Sequence, residues 1–251
     1  MPFGWEGVMA GGALIFFAYI GFDAVSTAAE EAINPQRDLP IGILASLVIC
    51  TIIYIVVSGL LTGLVPYKEL NVPSPVASAL LSIKHNFAAG LIAAGAIAGL
   101  TTVMLVLYYG LTRVFLAMAR DGLLPPIFAK VNAKTKTPIP VILISGTFMA
   151  FVAGFTPINE VAELVNIGTL AAFVLVCAGV IVLRKTHPNI PRPFKTPLSP
   201  ISPILGIVFC LYLMFQLPQT TWLRFGIWLA LGLIVYFVYS KGNSELNKVT
   251  V

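Results

Sequence analysis

The sequence predicts an all-α integral membrane protein with about seven transmembrane helices, and three observations carry that reading. Of its 251 residues, 58% are hydrophobic and only 10% charged, whereas a soluble domain carries roughly 25% charged residues. One core could not hide so much apolar surface, so the bilayer is the expected solvent. The charges are also clustered, and between the clusters run apolar stretches long enough for the hydrocarbon core, which takes about 20 helical residues. Finally, the basic residues sort by side. With seven spans and the N-terminus outside, Arg37, Arg113, Arg120, Lys130, Lys134, Lys136, Arg184, Lys185, Arg192, Lys195, Lys241 and Lys248 fall inside or at the inner edge. Only Lys68, Lys84 and Arg224 fall outside. Twelve against three is a strong positive-inside bias, and dropping one span would scramble it. The expected setting is therefore a multi-pass plasma-membrane protein with an external N-terminus and a cytoplasmic C-terminus.

Taken in order, the first span covers residues 7–33 and is interrupted near Gly21-Phe22-Asp23. The second runs from Ile41 to Val65 and the third, a long one, from Phe87 to Met118. The fourth is short, Ile139 to Phe155. The fifth covers Val161 to Leu183, the sixth Ile201 to Leu217 and the seventh Trp222 to Tyr239. The inner loop 119–138 is basic and broken by prolines. Leu123, Leu124, Ile127, Phe128 and Val131 recur in it at rough helical spacing, so a short helix lying at the inner interface is expected. The segment 184–200 holds five prolines and reads as an extended cytoplasmic linker. The whole chain, 1–251, is thus one transmembrane domain: 7–183, the linker 184–200, and two last helices within 201–240.

Several classes of function drop out. The net charge of +5 could suggest nucleic acid, but the basic residues flank apolar spans as membrane topology requires. Cys50, Cys177 and Cys210 all lie inside apolar stretches and lack metal-ligand spacing. Hydrolysis within the bilayer needs a Ser–His, His–Glu or paired-Asp constellation. The only histidines, His85 and His187, fall on opposite sides of the membrane, and Asp23 is the only aspartate deep in a span. No enzyme activity, cofactor or metal is expected.

The most informative residues are Phe16-Phe17-Ala18-Tyr19-Ile20-Gly21-Phe22-Asp23. An ionisable residue at that depth costs about 2.5–3.5 kcal/mol on insertion scales. The glycine before it readily leaves helical geometry, and Ala24-Val25-Ser26-Thr27 can restart a helix. The economical reading is a discontinuous helix, 8–18 and 23–33, with an unwound link at mid-membrane. Non-helical backbone at that depth is tolerated only where it is buried in protein or lines a cavity. Such breaks set helix ends and free carbonyls against a ligand's charged groups, and the carbonyls suit an ammonium. At single residues two readings stay open. Asp23 either caps the second half-helix or takes part in substrate contact or coupling. Gly21 marks either the break or close helix packing. Phe17 is either lipid-facing or a lid over a pocket. Glu30, Glu31, Arg37 and Asp38 follow at the inner membrane edge, with Asn34-Pro35 ending the helix; they are either solvated anchors or an inner-gate network with Arg120 or Asp121.

Two stretches carry a family resemblance. Phe17-Ala18-Tyr19-Ile20-Gly21-Phe22-Asp23-Ala24, followed by Glu30-Glu31 and Asn34-Pro35-x-Arg37-x-x-Pro40, resembles the sixth helix and following loop of amino-acid permeases. These belong to the amino acid–polyamine–organocation superfamily, in particular the bacterial proteins similar to cationic amino-acid transporters. Gly110-Leu111-Thr112-Arg113 and Ala117-Met118-Ala119-Arg120-Asp121-Gly122-Leu123-Leu124-Pro125 resemble the end of helix eight and its inner loop. The resemblance implies a LeuT-like fold of two inverted five-helix repeats plus two helices, of which this chain holds helices six to twelve. It implies secondary transport of amino acids by alternating access, coupled to an ion, with a proton expected. It places Ala18, Tyr19, Ile20 and Gly21 as main-chain substrate contacts, Phe17 as the aromatic closing over substrate, and Asp23 at a gating or coupling position. Thr101 and Thr102 fall where sodium-coupled relatives carry ion-binding hydroxyls, although such threonines more often back-bond within their helix. Helices one to five, with the other wall of the cavity, are not in this chain. The expectation is a fragment that needs an N-terminal half to transport; its rival is a non-transporting membrane subunit.

Overall fold

The computed structural model describes residues 3–27, 29, 32–192 and 194–245. Among them the regular structure is entirely helical: α1 Gly4–Tyr19, α2 Ala24–Thr27, α3 Pro35–Leu64, α4 Pro75–Ser82, α5 Asn86–Arg120, α6 Ile139–Phe155, α7 Ile158–Thr186, α8 Ile201–Phe215, α9 Gln219–Val235 and α10 Lys241–Asn243. Five stretches are long and apolar enough to cross a membrane: Gly4–Thr27, Pro35–Leu64, Asn86–Arg120, Ile158–Thr186 and Gln219–Asn243. The other two expected spans are present as shorter apolar helices, α6 and α8. At 1.5 Å per residue these reach about 25 and 22 Å, below the ~30 Å of an average hydrocarbon core; local thinning can absorb the difference. No residue of α3 is buried, and most of its large exposed side chains are Ile, Leu and Val. Burial among its own residues therefore does not hold this helix out of water; an apolar surround does.

The chain divides into two compact units, Gly21–Leu111 and the remainder. In the first-to-last unit, residues 3–20 and 112–245, α7 is the hub and packs on α1, α8 and α9. Its core is Ala13, Ile167, Leu170, Met214 and Leu217, flanked by Phe16, Leu164, Cys210 and Trp222. The polar bonds of this unit pair helix ends with like ends. At one end Arg224, entering α9, pairs with Glu160, entering α7, at 3.1 Å, and the Thr221 hydroxyl donates to Glu163 at 2.6 Å. At the other end, the Ser240 hydroxyl donates to the Leu123 carbonyl at 2.7 Å and the Glu245 N–H to the Asp121 carbonyl at 3.1 Å. The start of α9 thus lies by the start of α7, and the end of its run by the end of α5, as antiparallel alternation of spans requires.

The end of α5 shows what Arg120-Asp121-Gly122-Leu123 builds. The Leu123 N–H bonds the Met118 carbonyl and the Gly122 N–H the Ala119 carbonyl, with Gly122 at φ +76°. This is the Schellman stop, which needs a residue free to turn left-handed. The backbone of Asn243 also closes against Gly122, so no side chain fits there.

Three local expectations are corrected. The helix expected over 123–131 is one 3₁₀ turn, Pro126–Ala129, which ends as Lys130 turns to extended backbone, φ −72° and ψ 116°. The segment after α7 is not extended. The Arg192 guanidinium folds it back by donating to the carbonyls of Leu183, His187, Pro188 and Ile190 at 2.6–3.3 Å, so one side chain gathers the last turn of α7 and the segment after it. Pro35, which closes the preceding stretch, also opens α3 at its first position, where its missing N–H costs nothing.

The second unit, 21–111, holds α2, α3, α4 and most of α5. Here α2 packs on α3, and α3 on α4. The loop between α3 and α5 carries two elements beyond the sequence expectation: a 3₁₀ turn, Tyr67–Glu69, and α4.

Candidate functional site

The first helix is interrupted as its sequence predicts. In the first-to-last unit α1 ends at Tyr19, and Ile20 turns to extended backbone, φ −62° and ψ 131°. The Ile20 N–H closes a tight turn onto the Phe17 carbonyl at 3.3 Å. Among the described residues the Ile20 carbonyl accepts no hydrogen bond. Helix α1 is held by α7. The Phe16 ring meets Phe173 edge-on at 6.1 Å. The Asn166 amide, fully buried, donates to the Ala13 carbonyl at 3.1 Å and the Leu14 carbonyl at 3.4 Å. Its Oδ1 has no partner among the described residues. Phe16 is therefore the packed member of the pair, while Phe17 is 45% exposed.

The second unit begins at the break. Gly21 sits at φ +122°, a conformation that L side chains rarely adopt. A Cβ added there would come no closer than 3.9 Å to Leu107 Cδ2, an ordinary contact. The glycine is required by the backbone turn and not by helix packing, which decides between its two sequence readings. The Asp23 carboxylate accepts the Gly21 N–H at 3.2 Å. Its bond runs backwards and clasps the turn, in place of the expected cap on the segment that follows. That segment starts through the Asp23 main-chain carbonyl, which accepts both the N–H and the hydroxyl of Ser26 at 2.9 and 2.6 Å. Of the expected half-helix 23–33, the described residues show α-helix over Ala24–Thr27, and positions 28, 30 and 31 lie outside the described residues.

Helix α5 lies along this segment within the same unit. Leu107 stands by Gly21, and Gly110 by Thr27, where an added Cβ would be 3.4 Å from the hydroxyl. Leu107 escaped the sequence reading because one leucine among many carries no signal; Gly110 was legible only through its motif. The Thr101 and Thr102 hydroxyls donate to the Ile97 and Ala98 carbonyls at 2.8 and 2.9 Å. This is the back-bonded arrangement, and it spends the protons while leaving the oxygen lone pairs outward. Of the inner-gate set, Glu30 and Glu31 lie outside the described residues. Arg37 is exposed in the second unit, and Arg120 and Asp121 are exposed in the other. Asn166 was missed because an asparagine within an apolar span has no periodic signature.

Apolar helices of spanning length, one of them interrupted at a glycine beside a carboxylate, define a multi-pass membrane protein built around irregular backbone. The amino acid permease family model matches residues 1–240, and the chain belongs to that family. It is 51% identical over 248 residues to the methylthioribose transporter of Bacillus subtilis (strain 168), covering 99% of this chain and 54% of that protein. It is also 51% identical over 249 residues to the branched-chain amino acid permease BcaP of the same organism, with the same coverage. Vacuolar cationic amino acid transporter 4 of Arabidopsis thaliana is 43% identical over 205 residues, 82% of this chain and 33% of that protein. The chain spans about half the length of the two Bacillus relatives. These relatives are named as transporters and permeases, and none as an enzyme.

Proposed function

We propose that the chain forms part of a proton-coupled secondary transporter for amino acids working by alternating access, in which the interruption at residues 20–23 supplies part of the substrate site. The observation that carries this reading is Gly21 at φ +122° in the break between α1 and α2, within an apolar stretch of spanning length. Unwound backbone persists in a membrane only where it lines a cavity or is buried in protein. The main chain of Ala18, Tyr19, Ile20 and Gly21 then receives the substrate's ammonium, and Phe17 closes over it. Thr101 and Thr102 offer hydroxyl oxygens to a coupling ion. An N-terminal half, carrying the other repeat, supplies the remaining wall and the carboxylate contact. The N-terminus faces out and the C-terminus the cytoplasm of the plasma membrane.

Substrate choice rests on a specific tension. The two relatives at 51% identity are named for a branched-chain amino acid and for methylthioribose. Backbone carbonyls accept donors from an ammonium or from sugar hydroxyls alike, so the interruption is a shared acceptor site and the selectivity lies in the side chains around it. The test is uptake of labelled leucine, lysine and methylthioribose into vesicles carrying the transporter, native or with Asp23→Asn. Asparagine can still accept the Gly21 N–H, so the turn survives while the charge is lost. The expected result is uptake that no longer follows the proton gradient, with substrate binding retained. Unchanged gradient dependence would confine Asp23 to clasping the turn, and no uptake by the chain together with its N-terminal half would overturn the reading.

A further inference from the structure

The loop joining α5 to α6 is a preformed basic surface. Residues 122–138 hold Lys130, Lys134 and Lys136 and no acidic residue. All three lysines are exposed, and among the described residues none is in an ion pair. The loop is not slack. Asn132 organises it: its Oδ1 accepts the N–H groups of Lys134 and Thr135 at 2.8 and 3.2 Å. Its own N–H donates to the Thr137 carbonyl, and its carbonyl accepts the Lys136 N–H, each at 2.9 Å. The Thr135 and Thr137 hydroxyls meet at 2.7 Å, and Lys136 is held at φ +57°. Beside this turn stand Ile127 and Val131, 46% and 40% exposed, while Phe128 anchors the base on Phe115 at 5.8 Å.

Both flanking helices are apolar, so the loop is tethered at a membrane face at each end. A surface that offers fixed ammonium groups next to exposed branched aliphatics matches a phospholipid boundary with negative headgroups. We propose that residues 126–137 bind anionic phospholipid, with the lysines on the phosphate and Ile127 and Val131 entering the acyl boundary. Lattices of free anions would satisfy the lysines alone and leave the aliphatic pair unused, so the lipid is the better fit.

The test uses the purified chain in detergent with tail-labelled phosphatidylglycerol, in competition with unlabelled phosphatidylglycerol, phosphatidylcholine or inorganic phosphate. Phosphatidylglycerol should displace the probe, and the other two should not at equal concentration. Each lysine at an anionic surface is worth about a fivefold factor, so the triple variant K130Q/K134Q/K136Q should bind on the order of 100-fold more weakly. Binding to the native chain should also weaken as salt rises, a readout that needs no variant. Equal displacement by phosphatidylcholine, salt-independent binding, or an unchanged affinity in a triple variant of native helicity would overturn the proposal. Displacement by phosphate as effective as by the lipid would do so too, by showing a site for free anions.

Discussion

Gly21 illustrates how a single residue can be decided by dihedral angle and not by space. Its φ of +122° would place any L residue in a sparsely populated region, at a cost of about 1–3 kcal/mol, although a methyl group fits beside Leu107. Gly21→Ala should therefore lower the thermal midpoint and weaken substrate binding together, and Leu107→Ala should not rescue it. Recovery by Leu107→Ala would mean that packing, not backbone, demands the glycine. The residue was legible because glycine next to a carboxylate in an apolar run has few explanations. Asn166 was not legible. Its role depends on reaching the Ala13 and Leu14 carbonyls across 153 and 152 positions of sequence, and no local pattern encodes that. Asn166→Asp removes the donor and sets an acceptor against two carbonyls. It should cost about 2 kcal/mol, read as a fall in the thermal midpoint in detergent.

At the scale of elements, sequence and structure agree wherever hydrophobicity alone sets the boundary. Span four is Ile139–Phe155 in both, bounded by Pro138 and by the polar Thr156. Agreement fails where side-chain hydrogen bonds or prolines act. Composition reads 184–200 as extended, and only the fold reveals Arg192 collecting four carbonyls. Arg192→Gln should loosen this end, raising amide exchange at residues 183–190 while leaving the rest of α7 protected; uniform protection would deny it the capping role. The restart after the break was legible because Ala24-Val25-Ser26-Thr27 can resume a helix, and Ala24–Thr27 is α-helix; the rest of the expected 23–33 includes residues outside the described ones. Helix α4 was invisible for another reason: its eight residues after Ser74 are too few to show a period.

At the scale of the whole molecule, the sorting of fifteen basic residues predicts sidedness, and the pairing of helix ends in the unit around α7 is compatible with it. A membrane-impermeant thiol reagent should label Lys68→Cys in intact cells and label Lys134→Cys only after permeabilisation; the reverse pattern would invert the topology. The α-class and the number of apolar helices were legible from composition because the bilayer imposes length and polarity on every span. The substrate was not legible, since this chain corresponds to about half of its Bacillus relatives and a transport cavity needs both repeats.

The central claim is that the interruption after Tyr19 lines a water-accessible substrate site. The most direct measurement is reactivity of Ile20→Cys toward a charged thiol reagent in membranes, in a background with Cys50, Cys177 and Cys210 replaced. The account predicts labelling at position 20 that leucine or methylthioribose slows, and none at position 15 on the exposed face of α1. An Ile20→Cys protein as inert as Ile15→Cys, with or without substrate, would contradict it.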